Sequence, residues 1–179
     1  MPAPRQRLLD SPRQGLVIVS GGQTGADRAA LDWAIAHGVP HGGWCPRGRV
    51  AEDGTIPDRY RLRETPGADY AQRTEWNVRD SDATLIVSIA AELAGGSLLT
   101  QTVAQKLGKP CLHAAYGRVT AAPVHAFLEG HRVRALNVAG PRGSKEPGVY
   151  AFTFSLLDAV FPTPPPMQRS ARRGKLRTP

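Results

Sequence analysis

A chain of 179 residues, 41% of them hydrophobic, with a formal charge of +8 suits one domain whose core hides roughly 68–70% of the unfolded chain's surface. The charge is concentrated at the ends. Arg169, Arg172, Arg173, Lys175 and Arg177 crowd residues 162–179 and Arg5, Arg7 and Arg13 outnumber Asp10 in residues 1–14, leaving +1 for residues 15–161, which excludes a basic nucleic-acid-binding core. Cys45 and Cys111 have neither CxxC spacing nor a close Cys or His set, so there is no zinc motif, and no segment approaches the ~20 apolar residues of a membrane span.

Residues 1–14 are expected to be a flexible segment, without the apolar run of a signal peptide. Residues 15–161 are then one domain of a cytoplasmic protein, and 162–179 a flexible Pro- and Arg-rich tail offering at most weak electrostatic contact with nucleic acid. Leu16-Val17-Ile18-Val19 is a continuous apolar run ending in glycines, the pattern of a parallel strand covered on both faces. From Ala26 the period becomes helical, with Leu31, Ala34 and Ile35 on one face and Gly38 and Pro40 as the stop. His41 to Cys45 allows only a short strand. The polar stretch from Pro46 to Pro66 is too long for an ordinary connection, and such loops are usually functional.

Asp69 to Arg79 reads as a second helix and Ala83 to Ser88 as a second buried strand. Gly95-Gly96-Ser97 opens a helix that runs to Leu107 and closes at Gly108. Cys111-Leu112-His113 and Ala135 to Val138 are further strands, with a helix near Pro123 to Glu129 between them. Val149 to Phe161 forms the last helix, stacking Tyr150, Phe154, Leu157 and Phe161. Strands alternating with helices predict an α/β, Rossmann-like, three-layer doubly wound fold with a mainly parallel sheet of about five strands.

Ligands of such sheets bind beyond the carboxyl ends of the strands. Two glycine turns lie there. Gly21, Gly22 and Gly25 allow close backbone approach, Gln23 and Thr24 add side-chain donors, and the following helix presents free amides and a positive end to an anion. Gly95, Gly96 and Ser97, with Thr100 one turn on, repeat the arrangement. Tight strand-to-helix packing is the competing explanation for either turn. The first turn lacks the lysine of a P-loop, and Ser20 stands where a dinucleotide fingerprint needs its first glycine. Arg47, Arg49, Glu52, Asp53 and Arg59 in the long loop, and Arg73, Thr74, Glu75 and Asn77 on the second helix, add further candidates. Arg47 and Arg73 suit an oxyanion, Glu75 and Asp53 a ribose hydroxyl or acid/base chemistry, and surface ion pairing is the alternative for each. Trp44 and Trp76 suit a flat ring or core packing.

The stretches Ser20-Gly-Gly-Gln-Thr-Gly-Ala-Asp-Arg28, Gly43-Trp-Cys-Pro-Arg-Gly-Arg49, Ala51-Glu-Asp-Gly54, Arg73-Thr-Glu-Trp-Asn77, Ser81-Asp-Ala-Thr-Leu-Ile86, Gly95-Gly-Ser97 and Leu136-Asn-Val-Ala-Gly-Pro-Arg142 with Ser144-Lys145 together resemble one family. It is that of the candidate molybdenum (cofactor) carrier proteins, within the Rossmann-like group that includes the lysine-decarboxylase-like, cytokinin-activating phosphoribohydrolases. The resemblance implies a homo-oligomer of compact α/β subunits holding a small anionic ligand at the glycine turns: the molybdenum cofactor (molybdopterin), molybdate or a nucleotide. Molybdate, phosphate and the phosphate tail of molybdopterin are tetrahedral or nearly so, and the same amides would hold any of them. The phosphoribohydrolases carry a Gly-Gly-x-Gly-Thr-x-x-Glu motif. Laid on Gly95 and Gly96, it meets Leu98, Leu99 and Thr102 in place of its last glycine, threonine and glutamate, a departure that counts against that activity. A nucleotide-binding enzyme or sensor is the other reading of the same residues.

Overall fold

A computed structural model describes residues 15–162; the segments expected to be flexible, 1–14 and the tail from residue 163, lie outside the described residues. Five strands form one all-parallel sheet. They are β1 (Val17–Val19), β2 (His41–Gly42), β7 (Ala83–Ser88), β8 (Cys111–Ala115) and β9 (Ala135–Ala139), in the spatial order β2-β1-β9-β7-β8. The last strand of the chain is therefore the central one. Starting the chain at β9 instead would turn this arrangement into 3-2-1-4-5, the first five positions of the doubly wound dinucleotide-binding order.

Five helices flank the sheet: α1 (Ala26–Ala36), α2 (Tyr70–Arg79), α3 (Gly95–Lys106), α4 (Ala121–Gly130) and α5 (Val149–Val160). The alanine-rich α1 ends in a Schellman turn, with Val39 N bonded to Ala34 O and Gly38 N to Ile35 O. Asp69 caps α2 by accepting from Ala71 N. Helices α1, α4 and α5 pack together on one face, while α2 and α3 cover the other. The main core lies on the first face. Ile18, Leu85, Val87, Leu136 and Val138 alternate along their strands to meet Trp33, Val124, Leu157 and Phe161, as the two-residue side-chain period of a strand requires.

The stretch expected as a long loop is built differently. The strand expected over His41–Cys45 breaks at Gly43 (φ 129), so that β2 stays in the main sheet and β3 (Trp44–Cys45) pairs in parallel with β6 (Arg63–Glu64). Between them β4 (Val50–Ala51) and β5 (Gly54–Thr55) form a hairpin. Ala51, Ile56, Tyr60 and Leu62 from this segment bury Leu31 and Cys45 in a second apolar cluster. Arg49 organises the segment, its guanidinium donating to the carbonyls of Ile56, Leu62, Pro57 and Tyr60 at 3.0–3.2 Å. Among the described residues no helix is long and apolar enough to cross a membrane.

Candidate functional site

Connections from the adjacent strands β9 and β7 leave to opposite faces: β9 leads into α5 and β7 into α3. Their carboxyl ends form the switch-point crevice at which open α/β sheets bind ligands. A cavity of about 630 Å³ opens there, within the usual range for small-molecule sites. Its walls are Asn137 and Ser88 from the sheet, Tyr70, Arg73, Thr74 and Asn77 from α2, Gly95 to Ser97 with Leu99 and Thr100 from α3, and Gly140, Pro141, Arg142, Lys145 and Glu146 from the segment after β9. Gly21, Gln23 and Asp27 close it on the side of β1.

The two glycine turns are not equivalent. At the first, the protein supplies its own anion. Asp27, buried at the start of α1, accepts from Gln23 N at 3.3 Å and from the Gly21 amide, and pairs with Arg73 Nη1 at 3.0 Å. Burial pushes its carboxyl above the ordinary value, and Arg73 and the two amides pull it back. Two more donors of this turn are also committed: Thr24 N donates to Gln23 Oε1 and Ala26 N to Pro141 O. The second turn differs. Ala94 caps α3 without a side-chain bond, and Gly95, Gly96 and Ser97, whose amides precede the first intrahelical bond, line the cavity. Lys145 pairs with no carboxylate among the described residues, and Arg142 is tied only loosely, 3.8 Å from Glu52.

The structure thus gathers Gly21, Gln23, Arg73, Thr74, Asn77, Gly95, Gly96, Ser97 and Thr100 of the expected residues around one cavity. The others lie elsewhere. Gly22 packs under Ile56 and Leu62 of the second cluster, and Gly25 lies against the Pro141–Gly143 backbone. Thr24 donates to Glu52 and accepts from Gly143 N. Arg47 and Glu75 are exposed and off the cavity, and Asp53 is held by Arg28 through two bonds of 2.5 and 2.8 Å. Trp44 and Trp76 pack edge to face away from the crevice.

The sequence reading did not place Asp27, Asn137, Arg142, Lys145 and Glu146 in the site. The available signal was a third strand-end glycine, Gly140, directly after β9. A Ser88–His113 pair also emerges, 2.6 Å apart. The single hydroxyl hydrogen of Ser88 goes to Ala90 O at 2.7 Å, so His113 Nε2 donates to the serine and the pair is not an activated nucleophile. Burial lowers the His113 pKa, which keeps its ring neutral near pH 7. Glu146 holds the same turn by accepting from Ile89 N and Ala90 N.

Residues 18–161 match the model of the circularly permutated YpsA SLOG family. The chain belongs to that family. In the sheet itself β9, the last strand of the chain, occupies the place of a first strand. A crystal structure of a candidate molybdenum carrier protein from Syntrophus aciditrophicus is 49% identical, with a TM-score of 0.78, over 82% of this chain and 94% of that one. No curated protein matches the chain.

Proposed function

We propose that this family member is a binding protein for a phosphorylated or oxyanion ligand of the molybdenum-cofactor class, with the anionic end of the ligand on the amino-terminus of α3. The observation that carries this reading is that Gly95, Gly96 and Ser97, the first turn of a helix without a side-chain cap, line the switch-point cavity together with Arg142 and Lys145. Free first-turn amides and a positive helix end favour an anion, Arg142 and Lys145 offset Glu92 and Glu146 in the same lining, and the remaining cavity, with Tyr70, Leu99 and Asn137, accommodates a ring system. The kinship with a candidate molybdenum carrier supports the choice of ligand class. Among the described residues no group of three or more His, Cys, Asp or Glu is placed to hold a metal ion, so the metal would arrive within the ligand.

Gly96→Asp tests this without harming the fold. A Cβ at Gly96 meets nothing within 4 Å, and an acidic side chain in the first turn of a helix stabilises it by about 0.3–1 kcal/mol. The variant is expected to melt no lower than the wild type and to lose calorimetric binding of molybdate, phosphate and the molybdenum cofactor together. Undiminished binding by Gly96→Asp would refute the reading. Binding of nucleoside monophosphates alone would move the ligand class to nucleotides.

A further inference from the structure

Beside the cavity, the structure contains a second cluster of anion donors that is already filled. The tip of the β4–β5 hairpin inserts Glu52 between the first glycine turn and the segment after β9. Its carboxylate accepts from the Thr24 hydroxyl, from the Ser144 hydroxyl and from Ser144 N at 3.2 Å, with Arg142 Nε 3.8 Å away. Two hydroxyls, a backbone amide and a guanidinium converge here, and they come from two segments far apart in the chain. The carboxylate takes the three hydrogen bonds and leaves Arg142 beyond hydrogen-bond reach at 3.8 Å. A tetrahedral oxyanion with more acceptor positions would engage them as well or better.

We propose that the Thr24–Ser144–Arg142 nest is a second anion subsite, for a phosphate or molybdate group, and that Glu52 is its internal occupant, displaced when such an anion binds. The hydrogen bonds from Ser144 and Thr24 hold the Glu52 carboxyl below its ordinary pKa, in keeping with donors that favour negative charge. Displacement does not require the hairpin to unfold. Its backbone bond from Glu52 N to Gln23 Oε1 and the paired bonds from Arg28 to Asp53 are independent of the Glu52 side chain. Arg142 borders both the cavity and the nest, so an anion in either place alters the hold of Glu52 on it. Asp27, by contrast, is sealed in by Arg73 and the turn, with its side chain 6% exposed against 18% for Glu52.

The test is the stoichiometry of inorganic phosphate and of molybdate, measured by calorimetry on the full chain. Glu52→Ala and Glu52→Gln are compared with the wild type, each alone and combined with Gly96→Asp. The wild type is expected to bind a second, weaker equivalent by displacing Glu52; emptying the nest with Glu52→Ala tightens that equivalent, which persists in the Gly96→Asp background. Adding Thr24→Val, which removes one of the donors, weakens it. Glu52→Gln, neutral and of similar shape, shows the same gain to a lesser degree. If Glu52→Ala and Glu52→Gln both retain the wild-type melting profile and bind neither anion more tightly nor in greater number than the wild type, the inference is overturned, whatever the α3 site does. If the wild type binds nothing and Glu52→Ala binds one equivalent, Glu52 is not displaced by anions and the inference falls together with the α3 reading; if Gly96→Asp keeps the wild-type binding while Glu52→Ala tightens it, this inference stands and the α3 reading falls. If the Glu52→Ala chain loses its fold, Glu52→Gln decides alone. A latch with a purely structural role would loosen the hairpin in both variants without any gain in anion binding.

Discussion

Gly25 is the point at which the order of the fold and the geometry of the cavity depend on one missing methyl group. It has φ 83 and ψ −128, a region that side-chain-bearing residues occupy at a cost of about 1–3 kcal/mol. An added Cβ would also lie 2.4 Å from Pro141 O and 2.8 Å from Gly143 N. Relieving those contacts moves backbone by close to an ångström, and overpacking of that kind costs about 1–3 kcal/mol. Gly25→Ala is therefore expected to lose about 2–6 kcal/mol. Gly38→Ala is the control, since Gly38 also has positive φ (64) but open space around its Cβ, and the left-handed conformation alone costs about 1–2 kcal/mol. Urea unfolding with a common m-value measures both. The displaced backbone carries Arg142 towards or away from the cavity, so Gly25→Ala should also weaken phosphate binding, while Gly38→Ala, at the far end of α1, should not. Equal losses of stability in the two variants would refute the reasoning.

Two further outcomes follow from single side chains. Asp82 accepts the amides of Arg134 and Ala135 at 2.9 and 2.8 Å as the chain enters β9, and these bonds hold its carboxyl below the ordinary 3.8. With the folded pKa depressed, its stabilisation is complete above the unfolded value and is lost as pH falls through the lower folded one. Asp82→Asn should flatten the decline of melting temperature below about pH 4, and an acid limb parallel to the wild type would contradict this. Arg49→Met removes a charged donor shared by four carbonyls, and hydrogen bonds to a charged group are worth about 1.5–3 kcal/mol. Amide exchange in residues 50–64 should accelerate roughly tenfold to a hundredfold, with smaller changes in β7 and β9. A uniform change across the chain would show that Arg49 does not act locally.

Most of the main sheet was legible because β1, β7, β8 and β9 are largely apolar runs with polar, glycine or proline residues close to their ends. Ala83–Ser88 emerges with the same limits in sequence and structure, and α2 and α5 differ from their expected limits by a single terminal residue. The 46–66 segment was not, because its three strands are two residues each, shorter than any periodicity, and its organiser is one arginine bonded to carbonyls. Composition marked the residues Arg49, Glu52, Asp53 and Arg59 as polar and available. In the structure each is engaged within the protein: Arg49 with carbonyls, Glu52 in its nest, Asp53 with Arg28, and Arg59 with Asp32 and Tyr60. A single sequence does not distinguish a charge reserved for a ligand from one consumed by a fold.

The permutation explains why the site was only half visible from the amino-terminal end. In a doubly wound sheet the anion-binding turn follows the central strand, which is normally the first in the chain. Reading from the amino-terminus therefore fixes on the turn after β1, whose glycines and helix start look like that motif. In this chain β1 stands in the second position and the central strand is β9. The turn in the first-strand position is Gly140 to Lys145, which brings Arg142 and Lys145 to the cavity. The glycine turn after β1 is left beside it, and there Asp27 and Glu52 supply from within the negative charge that its donors attract. Resemblance of a turn to an anion site is thus a statement about its donors. Whether a ligand or a side chain meets them depends on which strand the topology puts at the centre.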